Sequence, residues 1–316
     1  MAKVRQRHIN TSQLRQEGSI ATQGHGHHSI TLKDLRNATN ATCIWRTVAG
    51  TGSYQKLLPP TLFYVGFGHC GSTTLAEVLH NHSLLSYGST KEHRYLCSGK
   101  DWNSRGLPFR KYLEQFWVPC QTEVTLDMSP PSYAILMNRS DPMWPYKQTC
   151  QHANKNESDV LQEMIAGLPK ALRLIALVRN PLDWAYSNRP GRTKAAFDPK
   201  FPDRLEHLVA RGCYASVLER WFEAFPEVPL TIFSSEEMFI DPSSFFRDFF
   251  LWLGLPNHPE SYYKEAFHAE GRRRARRTLT ENDYVAYHSQ PRAIECKAWL
   301  ERLAGRRFFW RGAYKK

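Results

Sequence analysis

The sequence predicts an α/β protein with a P-loop-like three-layer fold, in which helices flank a central parallel sheet of about five strands. Three observations carry this expectation. Short apolar runs rich in strand-forming residues alternate along the chain with segments of helical periodicity. The first run, residues 62–65, breaks at Gly66, Gly68 and Gly71 and resumes as a helix that starts in Ser72, Thr73 and Thr74. Finally, the glycine loop, Glu92, Asp127 and Arg179 all fall at the carboxyl ends of expected strands, where parallel sheets bind their ligands.

The elements follow in order. Residues 1–58 are polar and weakly periodic, and read as a flexible tail or stem closed by Pro59-Pro60. His25 to His28 (HGHH) reads as part of that solvated tail rather than as a metal site. Leu75, Val78, Leu79 and His82 recur at helical spacing after the glycine turn. A second strand is expected at 84–87, an amphipathic helix over 106–119 and a third strand at 122–126. A helix containing Val160, Leu161, Met164, Ile165 and Leu168 precedes the clearest strand, 172–178. Asn180, Pro181 and Asp183 then supply an N-cap, a first-position proline and a first-turn acid. Further on come a helix at 214–225, a fifth strand at 230–233, a helix opened by Asp241-Pro242 and ended by Gly254, and a last helix at about 291–304 ended by Gly305.

Composition bounds the partners. The 316 residues are 41% hydrophobic, with 9 Trp and 17 Phe, enough for a substantial core. The formal net charge of +12 favours anionic partners, with nucleic acid, anionic sugar and a phosphorylated cofactor all open at this point. Part of the excess is concentrated in the arginine run 272–277. No stretch approaches the roughly eighteen consecutive apolar residues of a membrane helix, and the first residues lack the apolar core of a signal peptide. Six glycosylation sequons and seven widely spaced cysteines with no C-x-x-C pair nevertheless suit a lumenal chain and argue against a zinc site. A lumenal enzyme whose anchor lies outside this sequence reconciles the two, and a cytoplasmic location stays open.

The glycine turn carries the chemistry. A strand, a glycine-rich turn and a helix N-terminus together aim backbone N–H groups at an anion. Gly66 and Gly71 keep the spacing of the nucleotide-binding P-loop, but Ser72-Thr73 follow with no lysine between. The phosphate cradle survives while the lysine that reaches terminal nucleotide phosphates does not.

Residues 66–75, GFGHCGSTTL, resemble the 5′-phosphosulfate loop of sulfotransferases that use 3′-phosphoadenylyl sulfate (PAPS), and 177–187, LVRNPLDWAYS, resemble their 3′-phosphate motif. Lys91-Glu92, 127–130 (DMSP), 230–255 and the ending 305–310 (GRRFFW) are similar to the Golgi carbohydrate branch, especially the heparan sulfate sulfotransferases. The resemblance covers roughly 60–312, making 59–316 a sulfotransferase domain. It implies that Phe67, Gly68, His69, Cys70, Gly71, Ser72 and Thr73 bind the 5′-phosphosulfate of PAPS and that Arg179 and Ser187 hold its 3′-phosphate. It further implies that Arg272 and Arg273 belong to a basic loop over that phosphate, and that Glu92 is the catalytic base. His69 stands where the family usually has lysine, and is read as the group that meets charge on the transferring sulfate. Met128 replaces a second basic residue common before the Ser-Pro.

The expected activity is sulfuryl transfer from PAPS to a hydroxyl or amino group of a glycan or proteoglycan chain, leaving adenosine 3′,5′-bisphosphate (PAP). No metal, nucleic acid or membrane span is expected, and the resemblance implies a Golgi lumenal glycoprotein. His93 is an alternative base, and Glu92 paired with Lys91 or Arg94 is its purely structural alternative. Cys70 reads as a small filler rather than a nucleophile, since no activating base stands beside it. Two other classes stay open: a P-loop kinase, which the missing lysine disfavours, and a non-catalytic nucleotide- or polyanion-binding member of the same fold.

Overall fold

The structure, a computed structural model, describes residues 44–47, 54–93, 112–129, 172–201, 203–263, 267 and 279–311. The histidine-rich stretch near residue 25, the expected helix around 160–168 and the arginine run 272–277 lie outside them. Two sheets are present among the described residues. A small antiparallel one joins β1 (Ile44–Thr47), β2 (Tyr54–Leu57) and β5 (Trp117–Pro119). The central one is parallel, with β3 (Leu62–Tyr64), β4 (Leu85–Ser86), β6 (Val124–Asp127), β7 (Arg173–Val178) and β8 (Leu230–Ser234) in the order β4-β6-β3-β7-β8.

The first and third expected strands are therefore neighbours, with β3 at the centre between β6 and β7. Its exit requires glycine: a Cβ on Gly66 would stand 2.9 Å from the Leu177 backbone nitrogen. All three residues of β3 are buried, as are five of the six in β7, so these strands read as continuous apolar runs rather than as alternating ones.

The helices are α1 (Ser72–His80), α2 (Pro181–Asn188), α3 (Pro190–Ala195), α4 (Asp203–Arg211), α5 (Ala215–Ala224), α6 (Ser235–Ile240), α7 (Pro242–Leu253), α8 (Glu281–His288) and α9 (Pro291–Ala304). Their ends follow the capping residues. Asn180 Oδ1 accepts from Leu182 N at 3.1 Å, and Asp241 Oδ1 from Ser244 N at 3.1 Å. Gly254 and Gly305 close α7 and α9 in the left-handed conformation. α7 buries Phe245, Phe246, Phe249 and Phe250, and Phe249 meets Phe233 of β8 at 5.2 Å between ring centroids. Each such ring contributes on the order of 2 kcal/mol of burial.

A disulfide, Cys213–Cys296, joins the residue before Tyr214 to α9 across 83 positions. Trp299 of α9 also donates to Glu219 of α5 at 3.1 Å. After α9 the chain returns past buried Phe308 and Trp310, and Asn180 Nδ2 donates to Arg311 O at 3.1 Å, tying the C-terminal stretch to the start of α2.

Two differences from the sequence reading stand out. Strands β1 and β2 fall inside the stretch expected to be tail, and they pair with β5. Within the helix expected over 106–119, the described residues are helical at Tyr112 and Leu113, continue as a 3-10 segment Glu114–Phe116, and then leave the helix as strand β5. Tyr112 and Phe116 do share a buried face at helical spacing, but Trp117 and Val118 are drawn into the ladder with β2.

Candidate active site at the strand ends

The glycine loop between β3 and α1 is held by its carbonyls. Tyr64 Oη donates to Phe67 O at 2.9 Å, and Trp184 Nε1 to Gly68 O at 2.8 Å. Arg179 Nη1 donates to His69 O at 3.3 Å, and Ser235 Oγ donates to Cys70 O. Four consecutive carbonyls are thus captured by side chains from β3, α2, the end of β7 and α6. Burial pushes the Tyr64 phenol well above its ordinary pKa, which keeps it a donor.

With the carbonyls tied back, the N–H edge of the loop is turned the other way. Among the described non-glycine residues only His69 has a positive φ, of 63°, and Gly71 has φ 89°, so the sign of φ alternates across Cys70. This is the pattern that gathers successive N–H groups into an anion-binding nest. Gly71 is also demanded by space, since a Cβ would lie 2.8 Å from Met238 Cε. No side chain caps the N-terminus of α1, so the first-turn N–H groups and the positive end of the helix face the same cradle. The loop therefore fits a phosphate- or sulfate-bearing group.

Around the cradle, Lys91 Nζ donates to Thr73 Oγ1 at 3.2 Å and stands 3.6 Å from Glu92 Oε1. The structure thus joins Glu92 to the loop through Lys91, and the Lys91–Glu92 pairing foreseen as a structural alternative is present. Both side chains are about one quarter exposed. His69 is exposed at the loop tip. Partial desolvation and the Arg179 guanidinium hold its pKa below the ordinary histidine value, so near pH 7 it is a neutral ring that can donate an N–H without a charge. Arg179 is half-buried, and Ser187 lies exposed two turns along α2. Burial pushes the Cys70 thiol strongly up, consistent with a filler.

Other residues take structural places. His93 is 2% exposed, and its ring nitrogens contact Gln115 Oε1 and Tyr87 O, both at 2.8 Å, which removes it as an alternative base. Asp127 is buried and accepts from Tyr112 Oη at 2.8 Å and Ser129 Oγ at 2.5 Å. Met128 is buried, so its side chain belongs to the core. Arg272 and Arg273 lie outside the described residues. Among the described residues no group of three or more His, Cys, Asp or Glu side chains gathers to hold a metal, and no helix is long and apolar enough to cross a membrane.

Sequence reasoning gave no role to Trp184, Ser235 or Glu236. Glu236 Oε1 accepts from Asn180 N at 2.8 Å and Oε2 from Ser234 Oγ at 2.9 Å, fixing the turn that follows Arg179. Burial raises the pKa of this carboxyl. Trp184 and Ser235 were visible only as parts of the longer matching segments.

No family model matches the chain, and no curated protein does. Solved structures do. A sulfotransferase from Alicyclobacillus acidocaldarius superposes with a TM-score of 0.51 at 18% identity, covering 79% of this chain and 97% of that one. The chain has the sulfotransferase fold. The sulfotransferase domain from the curacin biosynthetic pathway (15% identity, 64% of this chain and 76% of that one, TM-score 0.38) is a more distant match. So is mouse sulfotransferase SULT7A1 complexed with PAP (14% identity, 77% of each chain, TM-score 0.35). In terms of the sulfotransferase fold, the glycine loop and Arg179 lie at the carboxyl ends of the adjacent central strands β3 and β7.

Proposed function

We propose that this protein transfers a sulfuryl group from PAPS to a hydroxyl or amino group of a carbohydrate acceptor, a glycan or proteoglycan chain. The observation that carries the reading is the loop whose four successive carbonyls are tied back beside Arg179, leaving an N–H cradle at a helix N-terminus. When bound, the donor supplies an activated sulfuryl group on a phosphate leaving group. Residues 67–73 hold its 5′ end through backbone N–H groups. Arg179 and Ser187 hold the 3′-phosphate, with Arg272 and Arg273 as further cationic contacts.

Glu92 takes the acceptor proton, and a positioned base contributes about a hundredfold to ten-thousandfold in rate. His69 offers an N–H to charge developing on the sulfuryl oxygens, and the helix end and nest supply the rest of that stabilisation. None of these roles uses a metal. The Cys213–Cys296 disulfide and the sequons favour an oxidising lumen such as the Golgi.

The test is transfer of labelled sulfate from PAPS to a panel of glycans, run beside calorimetric binding of PAP. Transfer to a glycan supports the proposal. Binding of PAP without transfer to any acceptor would leave the non-catalytic binding module, and absence of both would refute the donor assignment.

A further inference from the structure

We infer that Trp184 is a positioning residue for the cradle, its indole N–H holding the Gly68 carbonyl so that the next N–H faces the 5′ end of the donor. The inference rests on the reading above that the loop takes an adenosine donor.

The argument starts from the peptide plane. A carbonyl and the N–H that follows it are rigidly coupled and point in opposite directions. Fixing Gly68 O therefore aims the N–H of His69, as fixing Phe67 O, His69 O and Cys70 O aims those of Gly68, Cys70 and Gly71. Of the four carbonyls, that of Gly68 belongs to the residue with the widest backbone freedom, so it gains most from an external hold. Trp184 supplies that hold at 2.8 Å from 116 positions away.

Geometry separates this role from mere core filling. Trp184 is 4% exposed and its ring packs edge-on to Tyr214 at 5.9 Å, while Tyr214 meets Phe67 at 4.5 Å. A buried indole N–H needs an acceptor, and here the acceptor is a cradle carbonyl rather than a core group. Trp184 also lies between Arg179 and Ser187 in sequence. Arg179 and Trp184 donate to adjacent carbonyls of the loop, so the segment expected to bind the 3′-phosphate also sets the shape of the 5′ cradle.

The experiment compares two ligands by calorimetry, PAP and adenosine 3′-monophosphate, which lacks the 5′-phosphate. The dissociation constant of the 3′-monophosphate divided by that of PAP isolates what the cradle contributes. Trp184→Phe keeps an aromatic body and removes the donor, and thermal melting checks that it folds. The ratio should fall about fivefold to tenfold while 3′-monophosphate affinity stays unchanged, the size expected when a buried carbonyl loses its partner. Should Trp184→Phe not fold, replacement of Trp184 by benzothienylalanine keeps the fused rings, substitutes sulfur for N–H and gives the same comparison. An unchanged ratio, or equal loss for both ligands, overturns the inference and leaves the donor reading standing. Wild-type protein that binds neither nucleotide refutes the donor reading, and the inference with it.

Discussion

Acid should weaken this protein through one histidine. His288, at the end of α8, is 7% exposed, and its Nε2 donates to Asn180 Oδ1 at 3.2 Å, the oxygen that also caps α2. Burial, with a smaller push from the Lys297 charge and partial opposition from Asp183, brings its pKa from the ordinary 6.5 down to about 4. The sign follows from proton counting. Between those values the unfolded chain binds the proton and the folded one does not, so stability rises with pH through the window and is lost as pH falls. From pH 7.5 to 4.5 this one site should remove about 2.5 kcal/mol. Urea denaturation of wild type and His288→Gln at pH 7.5, 6.5, 5.5 and 4.5 measures it. Gln retains an amide donor for Asn180 and cannot titrate, so the wild-type curve should fall more steeply by about that amount. Parallel curves would refute the argument, because other groups would then carry the acid sensitivity.

Three further outcomes are expected. Arg179→Ala should weaken calorimetric PAP binding by about tenfold or more through loss of a charge-assisted phosphate contact, and unchanged affinity would remove Arg179 from the site. Glu92→Gln should lower turnover about a hundredfold to ten-thousandfold with donor affinity nearly intact, whereas His69→Lys should keep or raise activity. Normal turnover by the first together with a dead second would move the proton to the histidine. Reduction of Cys213–Cys296, which closes a separation of 83 residues, should cost up to about 4 kcal/mol in denaturant, and an unchanged midpoint would contradict it.

What could be read from the sequence was local. Asn180-Pro181 and Asp241-Pro242 announce the starts of α2 and α7, and Gly254 and Gly305 announce ends, because capping is decided within three or four residues. The apolar run at 173–178 and the glycine turn at 66–71 were legible for the same reason. What escaped was non-local. The pairing of β5 with β2 took Trp117–Pro119 out of the expected helix, and no nearby pattern marks it. The hold of Trp184 on Gly68, of Ser235 on Cys70 and of Glu236 on Asn180 spans 116, 165 and 56 positions. Each is an ordinary residue type whose role appears only when the sheet brings the strand ends together. His69 marks a further limit. Its identity was plain, but its preference for the neutral form comes first from partial burial in the folded loop and then from the Arg179 guanidinium, 110 positions away.

The small antiparallel sheet has a practical consequence for anyone shortening the protein. Cutting at residue 58, where polar composition gives way to the first central strand, would delete β1 and β2 and leave Trp117–Pro119 with an open row of backbone donors and acceptors. It would also remove Leu57, only 5% exposed and the register partner of Trp117. Unprotected edges of this kind recruit other chains. A shortened protein that begins before Ile44 should stay dispersed, whereas one that begins at Leu58 should self-associate, and light scattering of the two would separate an intact domain from a frayed one.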